Sequence, residues 1–317
     1  MIFYWTVLSL ENITKTEAAV TVRTAVALGV FDGIHIGHRA VLGRAIEFEK
    51  SGLEPSVFTF NTESISVKHN KKYKYIASNE EKLYMMSDMG IKYVCCPEFS
   101  DIREISAEDF VLKIIKKKFN AAVVVCGQRF RFGRDAGCGA DQLISLGKKY
   151  GFEVSVVDPV MYENVIVSSS SIKDMLYSGD IKKANKLLGY NYGIDQKVVH
   201  GRQIGCTIDF PTINQYFLSG QVIPRYGVYA SQTLINGRQY LSITNIGVKP
   251  TVTDDMIPLA ETHILDYNAD LYNKTVKVRF SDFIRSEKRF QSLDELKKAI
   301  AADISTVKAL GGYRKDG

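Results

Sequence analysis

The densest group of residues that could do chemistry is the segment Gly29-Val30-Phe31-Asp32-Gly33-Ile34-His35-Ile36-Gly37-His38. It leaves a predicted strand and enters a predicted helix, where backbone N–H groups and the helix dipole favour phosphate. His35 and His38 could donate hydrogen bonds to triphosphate oxygens and to the charge that develops as pyrophosphate leaves. A zinc pair is one alternative, although no cysteine or further histidine follows to complete it. The other alternative is that both histidines lie at the surface with their hydrogen bonds satisfied and have no chemical role.

Two more segments of the first half could bind anions. The run Gly127-Gln128-Arg129-Phe130-Arg131-Phe132-Gly133-Arg134 brings three arginines and two aromatic rings to one loop, where they could hold phosphate and stack on a ring. A solvated charged loop is the alternative. The run Ser168-Ser169-Ser170-Ser171-Ile172-Lys173 opens a helix with hydroxyls and exposed N–H groups. Plain N-capping by serine explains that pattern equally well.

The second half carries weaker signals, each of which has an ordinary explanation when it stands alone. They are His200-Gly201, Gly205, the run 210–214, Gly227-Val228-Tyr229, Asn245-Ile246-Gly247, Glu261 and the run 284–287. The Pro-Thr-Ile-Asn sequence at 211–214 is typical of a turn. A single glutamate at the start of a strand, such as Glu261, is usually solvated surface.

The elements that position the first group follow an alternating pattern. Short apolar runs predict strands at 24–31, 55–60, 91–96, 121–127 and 152–158, and amphipathic runs predict helices at 37–50, 79–89, 106–119 and 140–150. Continuous apolar strands are typical of a parallel sheet that is buried on both faces, with right-handed helical crossovers. The pattern predicts an α/β nucleotide-binding architecture whose ligand lies beyond the carboxyl ends of the strands.

After the first half, the alternation of strands and helices gives way to two short helices and then to a series of strands. Two short helices are predicted near 168–188, with Gly179-Asp180 as the break between them. Strands are then predicted at 198–201, 227–235, 239–246, 261–266 and 275–280, with Asn236-Gly237 as a two-residue hairpin turn. A last helix is predicted at 292–310, capped by Ser292 with Glu295 as its capping-box partner. The pattern therefore predicts an α/β domain at 1–190 and a compact β-barrel with a terminal helix at 191–317.

Composition agrees with two folded domains. The 317 residues exceed what one hydrophobic core usually holds, and 45% hydrophobic with 24% charged residues excludes wholesale disorder and a fibrous protein. The net charge of +6 suits anionic small molecules. It is spread evenly, with 16 basic and 13 acidic residues after position 190, so we expect no nucleic-acid partner.

Sequence features also favour a cytoplasmic location. The five cysteines form no CxxC pair and lie mostly in apolar runs, which is typical of reduced thiols. The opening segment lacks a basic region and a cleavage site, and no apolar run approaches the roughly 18 residues of a membrane span. We therefore expect neither export nor membrane insertion.

Taken together, the three segments of the first half resemble the adenylyltransferase module of the bacterial bifunctional riboflavin kinase/FMN adenylyltransferases. The motifs of the second half, in their order and spacing, look like the riboflavin kinase module of that family, which is a six-stranded barrel. The resemblance covers essentially the whole chain. It implies a Rossmann-like nucleotidyltransferase domain, in which the FMN phosphate attacks the α-phosphorus of ATP, followed by a kinase domain that converts riboflavin to FMN.

The resemblance also implies roles for single residues. His35 and His38 would be catalytic in the first domain, and Glu261 would be the base that deprotonates the riboflavin 5′-hydroxyl. Thr212 and Asn214 would hold the Mg²⁺ bound to ATP, and Arg285 would lie on the flavin side. The residues that it implies for ATP or phosphate binding are Gly29, Phe31, Asp32, Gly37, Arg129, Arg131, Ser169, Ser170, Lys173, Gly201 and Gly205.

The chain departs from the family pattern at several positions. Arg129 stands where the family usually has Asp or Asn, and Ser171 and Lys173 stand where many members have arginine. In the second half, Cys206 replaces a usual arginine and Asp209 a usual glycine. Losing a forked guanidinium at a phosphate costs about 1.5 to 3 kcal/mol. Arg129 could compensate, or the adenylyltransferase could be weakened.

Three functions follow from these observations. The first is an enzyme that phosphorylates riboflavin to FMN and adenylylates FMN to FAD, with ATP and Mg²⁺ in both steps and with riboflavin, FMN, FAD and ATP as its ligands. The alternative is a riboflavin kinase whose degenerate first domain only binds or regulates. A third possibility is a flavin-dependent regulator whose α/β domain binds RNA or protein, and the even charge distribution counts against it.

Overall fold

The structure is a computed structural model that describes residues 10–15, 19–67, 71–201, 210–250 and 256–312. The packing of the chain divides it into two units, Met1–Ser169 and Ser170–Gly317. Each unit has its own sheet.

The first unit has ten described strands, most of them short, which are numbered here in chain order. They are β1 (Glu11–Asn12), β2 (Thr24–Leu28), β3 (Glu54–Phe58), β4 (Ser66–Val67), β5 (Lys71–Lys72), β6 (Tyr93–Cys95), β7 (Ala121–Gly127), β8 (Glu153–Val157), β9 (Met161–Tyr162) and β10 (Val165–Ile166). Six of them form one sheet in the order β1-β6-β3-β2-β7-β8, and all of its pairings are parallel. β4 pairs with β5 and β9 with β10 as antiparallel ribbons.

The helices of this unit lie between the strands, as the alternating pattern predicts. They are α1 (Ile36–Glu47), α2 (Asn79–Asp88), α3 (Phe99–Ile102), α4 (Ala107–Asp109), which continues as a π-helix (Phe110–Lys118), and α5 (Ala140–Tyr150). Short 3₁₀ turns occur at Phe48–Ser51, Thr62–Ser64 and Arg134–Ala136. The predicted helix at 106–119 is thus helical, but its hydrogen-bond pattern changes along its length. Amphipathic periodicity identifies a buried face, and it does not distinguish the two patterns.

The parallel sheet is buried on both sides. All five residues of β2 are buried, and one apolar cluster packs on each face of the sheet, around Phe110 and Phe119 on one side and around Leu42 and Met86 on the other. The chain order of the strands reverses direction between β2 and β7, which are neighbours in the sheet. The loops that follow these two strands therefore meet at the carboxyl edge, at the point where doubly wound sheets bind ligands.

The second unit begins with two helices and continues as a barrel. Its elements are α6 (Ser169–Ser178), α7 (Ile181–Leu188), β11 (Gly193–Lys197), β12 (Ile213–Tyr216), β13 (Gly227–Ile235), β14 (Arg238–Pro250), β15 (Met256–Ile264), β16 (Thr275–Arg285) and α8 (Leu293–Gly312). The strands form an antiparallel sheet in the order β11-β16-β13-β14-β15-β12. Val199, just after β11, forms a bridge with Asn214 on β12, so the sheet nearly closes on itself.

Several local predictions for this unit are confirmed. Asn236 and Gly237 have φ of 50° and 79°, as the predicted hairpin turn requires. Ser292 caps α8, because its hydroxyl accepts a hydrogen bond of 3.2 Å from the Glu295 backbone N–H. The Glu295 carboxylate accepts from the N–H of Gln291 at 3.0 Å, one residue earlier than the predicted partner.

The first two strands of the barrel were not predicted correctly. The expected strand at 198–201 lies instead at Gly193–Lys197, and no strand was predicted at β12, because the sequence at 211–214 is typical of a turn. Both strands are rich in polar residues, so neither shows an apolar run. Their polar side chains are accommodated by the barrel: Gln215 donates from Nε2 to the carbonyls of Gln196 at 2.6 Å and Val276 at 2.8 Å.

Candidate functional site

The loop between β2 and α1 has an unusual backbone. Phe31, Gly33 and Ile34 all have positive φ, at 54°, 82° and 37°. His35 then adopts extended geometry as the N-cap of α1, and its Nδ1 accepts a hydrogen bond of 3.1 Å from the His38 backbone N–H. The side chain of a predicted site residue thus forms the helix cap itself.

The two histidine rings lie against each other. Their centroids are 3.5 Å apart with an interplanar angle of 17°, and the Phe31 ring meets His38 edge-on at 5.3 Å. Burial lowers the pKa of His35 to about 4, and burial with the charges of His35 and Lys82 lowers the pKa of His38 well below its ordinary value. Both rings are therefore neutral at pH 7. Because Nδ1 of His35 accepts, its proton lies on Nε2, which leaves that atom as its donor.

Two glycines of the loop allow this close packing. A Cβ on Gly37 would lie 3.2 Å from the His35 ring, and one on Gly29 would lie 2.9 Å from the Phe31 ring. A side chain at position 29 or 37 would crowd the Phe31 or the His35 ring, so the packing of the loop explains why both positions are glycine.

Asp32 is almost fully buried, with 1% of its surface exposed. Its carboxylate accepts hydrogen bonds from the Ile76 backbone N–H at 2.7 Å and from the Tyr73 hydroxyl at 3.0 Å. The burial of Tyr73 and the charge of Asp32 raise the pKa of the Tyr73 phenol. Asp32 therefore anchors the segment that precedes α2 to the loop that carries the two histidines.

In the arginine-rich loop after β7, the charged side chains lie in solvent and an aromatic ring lies in the core. Arg129 and Arg131 are exposed, whereas Phe132 is buried in the core and stacks with Phe130 at 5.8 Å. The backbones of Phe132 and Cys138 exchange two hydrogen bonds of 3.0 Å, which hold the loop in a ribbon. The guanidinium groups are thus presented to solvent at the carboxyl edge of the sheet, while the Phe132 ring serves the core.

The serine-rich segment contributes one residue to the same edge. The Ser169 hydroxyl donates to the Asp32 carbonyl at 3.0 Å, so it connects directly to the loop of the histidines. Ser170 is exposed and Lys173 half-buried, and both lie further along α6.

A buried lysine at this edge had no signal in the sequence. Lys82 on α2 is 0% exposed, and its ammonium donates to the carbonyl of Phe60 and to the hydroxyl of Thr59, the latter at 3.3 Å. Thr59 in turn donates to the Val30 carbonyl at 2.9 Å. In the sequence Lys82 follows Glu80 and Glu81 in a polar helical turn, which is typical of solvated surface.

In the second unit, three polar side chains occupy one cross-strand row. Asn214 on β12 pairs with Glu261 on β15, which pairs with Asn245 on β14. Directly opposed residues on neighbouring strands place their side chains on the same face of the sheet. The barrel therefore brings together two predicted site residues that are 47 positions apart in sequence. Asn245, which was noted as a motif but not as a site residue, is the third member.

Asn214 is the most confined member of this row. It is 5% exposed, and its Oδ1 is buried with no hydrogen-bond partner among the described residues. A Cβ on Gly201 would lie 2.4 Å from its Nδ2, so Gly201 is a place where backbone approaches this side chain closely. Thr212 is half-buried two residues earlier. The predicted residue Gly205 lies outside the described residues.

Arg285 forms a specific contact at the end of β16. Its guanidinium makes a two-point ion pair with Asp303 on α8, with Nε–Oδ1 at 3.0 Å and Nη2–Oδ2 at 2.8 Å. The ring of Phe290 lies 5.7 Å from the guanidinium carbon. The predicted flavin-binding arginine thus also joins the terminal helix to the barrel.

The zinc interpretation of the histidine pair lacks further ligands. Across the described ranges, no group of three or more His, Cys, Asp or Glu side chains could hold a metal ion. In the same part of the chain, no helix is long and apolar enough to cross a membrane.

Comparison with known proteins assigns each half to an enzyme family. The FAD synthetase family model matches residues 17–171, and the riboflavin kinase family model matches residues 188–310. The bifunctional riboflavin kinase/FMN adenylyltransferase of Escherichia coli (strain K12) is 35% identical over 294 residues, which cover 91% of this chain and 93% of that protein. The protein of the same description from Listeria monocytogenes is 30% identical over 313 residues, covering 97% and 98%.

A solved structure shares the fold over nearly the whole chain. The crystal structure described as a macrolide-efflux protein from Streptococcus pneumoniae has a TM-score of 0.85 and 30% sequence identity, and the match covers 94% of this chain and 98% of that chain. With a family model on each half and relatives at least 30% identical over more than nine-tenths of both chains, the chain belongs to the bifunctional riboflavin kinase/FMN adenylyltransferase family.

Proposed function

We propose that this chain makes FMN from riboflavin and ATP in a domain at 191–317, and FAD from FMN and ATP in a domain at 1–190. The presence of both family models on one chain carries this proposal. ATP is the co-substrate of both families. The matched ranges leave residues 172–187 between them.

In the adenylyltransferase step, an FMN phosphate oxygen attacks the α-phosphorus of ATP. The bond to the β-phosphate oxygen breaks, and pyrophosphate leaves with the bonding electrons. The Nε2–H of His35 and the ring of His38 would donate to the oxygens on which charge develops, at the N-terminus of α1, where the helix dipole adds to the effect. Neutral rings suit this role, because they need no change of protonation before they donate.

The remaining first-domain residues would bind the nucleotide around this pair. Exposed Arg129 and Arg131 offer forked guanidinium groups to the phosphates. Ser169, Ser170 and Lys173 would add donors from the start of α6. Gly29, Phe31, Asp32 and Gly37 would act by shaping the loop, which their packing and hydrogen bonds support.

In the kinase step, Glu261 would accept the proton of the riboflavin 5′-hydroxyl as its oxygen attacks the γ-phosphorus, and ADP leaves. The cross-strand row supports this role, because it sets Glu261 beside Asn214 and Asn245 on a rigid sheet. Gly201 and Gly205 would lie near the phosphates. Arg285 would lie on the flavin side, held by its ion pair with Asp303.

Residues near Asn214 fit a magnesium ion. An amide oxygen that is buried and has no hydrogen-bond partner among the described residues, together with a nearby hydroxyl, provides the neutral oxygen ligands that Mg²⁺ accepts alongside phosphate oxygens and water. Asn214 and Thr212 would hold it, and when bound it would neutralise phosphate charge.

We also propose that the enzyme acts in the cytoplasm. The four cysteines in the described ranges, Cys95, Cys96, Cys126 and Cys138, are all free thiols, as a reducing compartment favours.

The test is to incubate the pure protein with riboflavin, ATP and Mg²⁺ and to separate FMN from FAD by chromatography. We expect FMN first and FAD later, and FAD alone when FMN replaces riboflavin. A protein that forms FMN but never FAD would contradict the adenylyltransferase half of the proposal, and one that forms neither would contradict both halves.

A further inference from the structure

Lys82 is a buried cation that has no anionic hydrogen-bond partner in the described part of the chain. It is 0% exposed, and its two acceptors are the neutral oxygens of Phe60 and Thr59. Among the residues that the structure describes, no carboxylate forms an ion pair with it. Lysine is rarely buried so completely unless it is paired. This position therefore needs an explanation beyond packing.

The contacts of Lys82 lead directly to the loop of the histidines. Thr59 follows β3, and its backbone N–H is fixed by the Cys95 carbonyl at 3.0 Å. Its hydroxyl hydrogen is used on the Val30 carbonyl at 2.9 Å, so its oxygen receives the hydrogen bond from Lys82. Val30 immediately precedes Phe31, where the positive φ values of the loop begin. A continuous chain of hydrogen bonds thus runs from α2 through Thr59 to the start of this loop.

The surroundings keep Lys82 charged at neutral pH. Burial lowers its pKa to about 8, while nearby Cys96, Asp32 and Glu63 act in the opposite direction. The same charge contributes to the low pKa of His38. Asp32 lies on the loop of the histidines, Glu63 on the 3₁₀ turn Thr62–Ser64, Cys96 after β6 and His38 on α1. A cation beneath a phosphate-binding loop also favours bound anions.

We propose that Lys82 is a positioning residue for adenylyl transfer. Through Thr59 it fixes the Val30 carbonyl, and with it the loop that carries His35 and His38, in the arrangement that the reaction needs. This inference rests on the proposed function of the first domain. Misplacement of catalytic groups by about 1 Å can reduce the rate about 100-fold, so a contact remote from the substrate can control kcat.

The test is a double-mutant cycle of Lys82→Met and Thr59→Val, with FAD formation from FMN and ATP as the readout. We expect Lys82→Met to lower kcat about 10- to 100-fold while KM for ATP changes less than about threefold. Thr59→Val should lower kcat in the same direction. The double variant should resemble Lys82→Met alone, because both substitutions break one chain of contacts.

Two controls separate positioning from a purely structural role. Riboflavin phosphorylation should stay within about twofold in every variant, as should FAD formation in Lys113→Met, which removes an exposed lysine. The Tm of Lys82→Met should change little, because removing the cost of a buried charge offsets the loss of its hydrogen bonds to Phe60 and Thr59. Should Lys82→Met unfold, Thr59→Val carries the test alone, since it keeps the charge and removes the link.

The outcomes are distinct. Additive losses in the cycle, an effect confined to KM, or an unchanged kcat in Thr59→Val would overturn the role of Lys82 while leaving the proposed function intact. A wild-type protein that forms no FAD would overturn the proposed function and this inference with it.

Discussion

The histidine pair contains a side chain that has a structural role and for which we propose a chemical one. His35 caps α1 through Nδ1, and this contact assigns its proton to Nε2. His38 stacks on it, with Nδ1 buried and unpartnered among the described residues. The cap thus gives the phosphate site that we propose at the N-terminus of α1 a defined donor, the Nε2–H of His35.

His38→Ala should lower FAD formation from FMN and ATP by about 100-fold or more, the range for losing one preorganised donor to developing charge. Riboflavin phosphorylation by the same sample should change less than about twofold, because that site lies on the other domain. Steady-state kinetics of the two reactions test this prediction, and equal losses in both would contradict it.

Glu261→Gln should reduce FMN formation by about 10² to 10⁴-fold, because glutamine keeps the shape of the side chain but cannot accept the proton. FAD formation from supplied FMN is the internal control and should persist. If FMN formation survives at the wild-type rate, Glu261 is not the base.

At the scale of elements, the barrel brings two predicted site residues, Asn214 and Glu261, into one cross-strand row, and buried hydroxyl groups connect its strands. The buried Thr244 hydroxyl lies 2.8 Å from that of Ser231 and 2.9 Å from that of Thr262, so it connects β13, β14 and β15. Asn245, the next residue on β14, belongs to the row with Glu261. This hydroxyl chain therefore connects the strands that carry Asn245 and the proposed base Glu261.

Thr244→Val should lower the free energy of unfolding of the barrel by about 1 to 3 kcal/mol, because it leaves two buried hydroxyls short of a partner. Urea unfolding followed by circular dichroism measures this change. The matched control is Thr275→Val at an exposed strand position, which should change stability by less than about 0.5 kcal/mol. Equal effects of the two substitutions would show that the hydroxyl chain contributes nothing.

At the scale of the whole molecule, one chain combines two sites that use the same anionic co-substrate. The net charge of +6 favours ATP and FMN at both. The first unit buries two ionisable groups, His35 and Lys82, and burial lowers the pKa of both. The free energy of unfolding of this unit should therefore depend on pH, and single substitutions can show which residue causes the dependence.

We expect the first domain to lose stability as the pH falls from about 6.5 toward 4. The folded pKa of His35 is about 4 against an ordinary 6.5, so in this window the unfolded state binds more protons and unfolding is favoured. The loss attributable to His35 is on the order of 2 kcal/mol. Urea unfolding of the wild type and His35→Asn at pH 7 and pH 4.5 measures it, since asparagine keeps a cap but does not titrate. Identical pH dependence in both proteins would contradict the assignment.

Much of the fold follows from sequence alone. β7 and α5 have the predicted bounds, and the Asn236-Gly237 turn and the Ser292 cap form as expected. These features depend on contacts within a few residues or on a continuous apolar run, and both are visible in the chain itself. The glycine and histidine segment was identified for the same reason, because its chemistry and its turn lie within ten consecutive residues.

Only the tertiary structure decided which polar residues are buried and what they contact. Lys82 follows two glutamates in a polar helical turn, yet it is fully buried, and its partners lie more than 20 positions away in the sequence. β12 was not predicted, because the sequence at 211–214 is typical of a turn, yet the strand forms and the Nε2 group of Gln215 donates to carbonyls of two other strands. A polar group can be buried once distant residues supply its hydrogen bonds, and local periodicity carries no information about those partners.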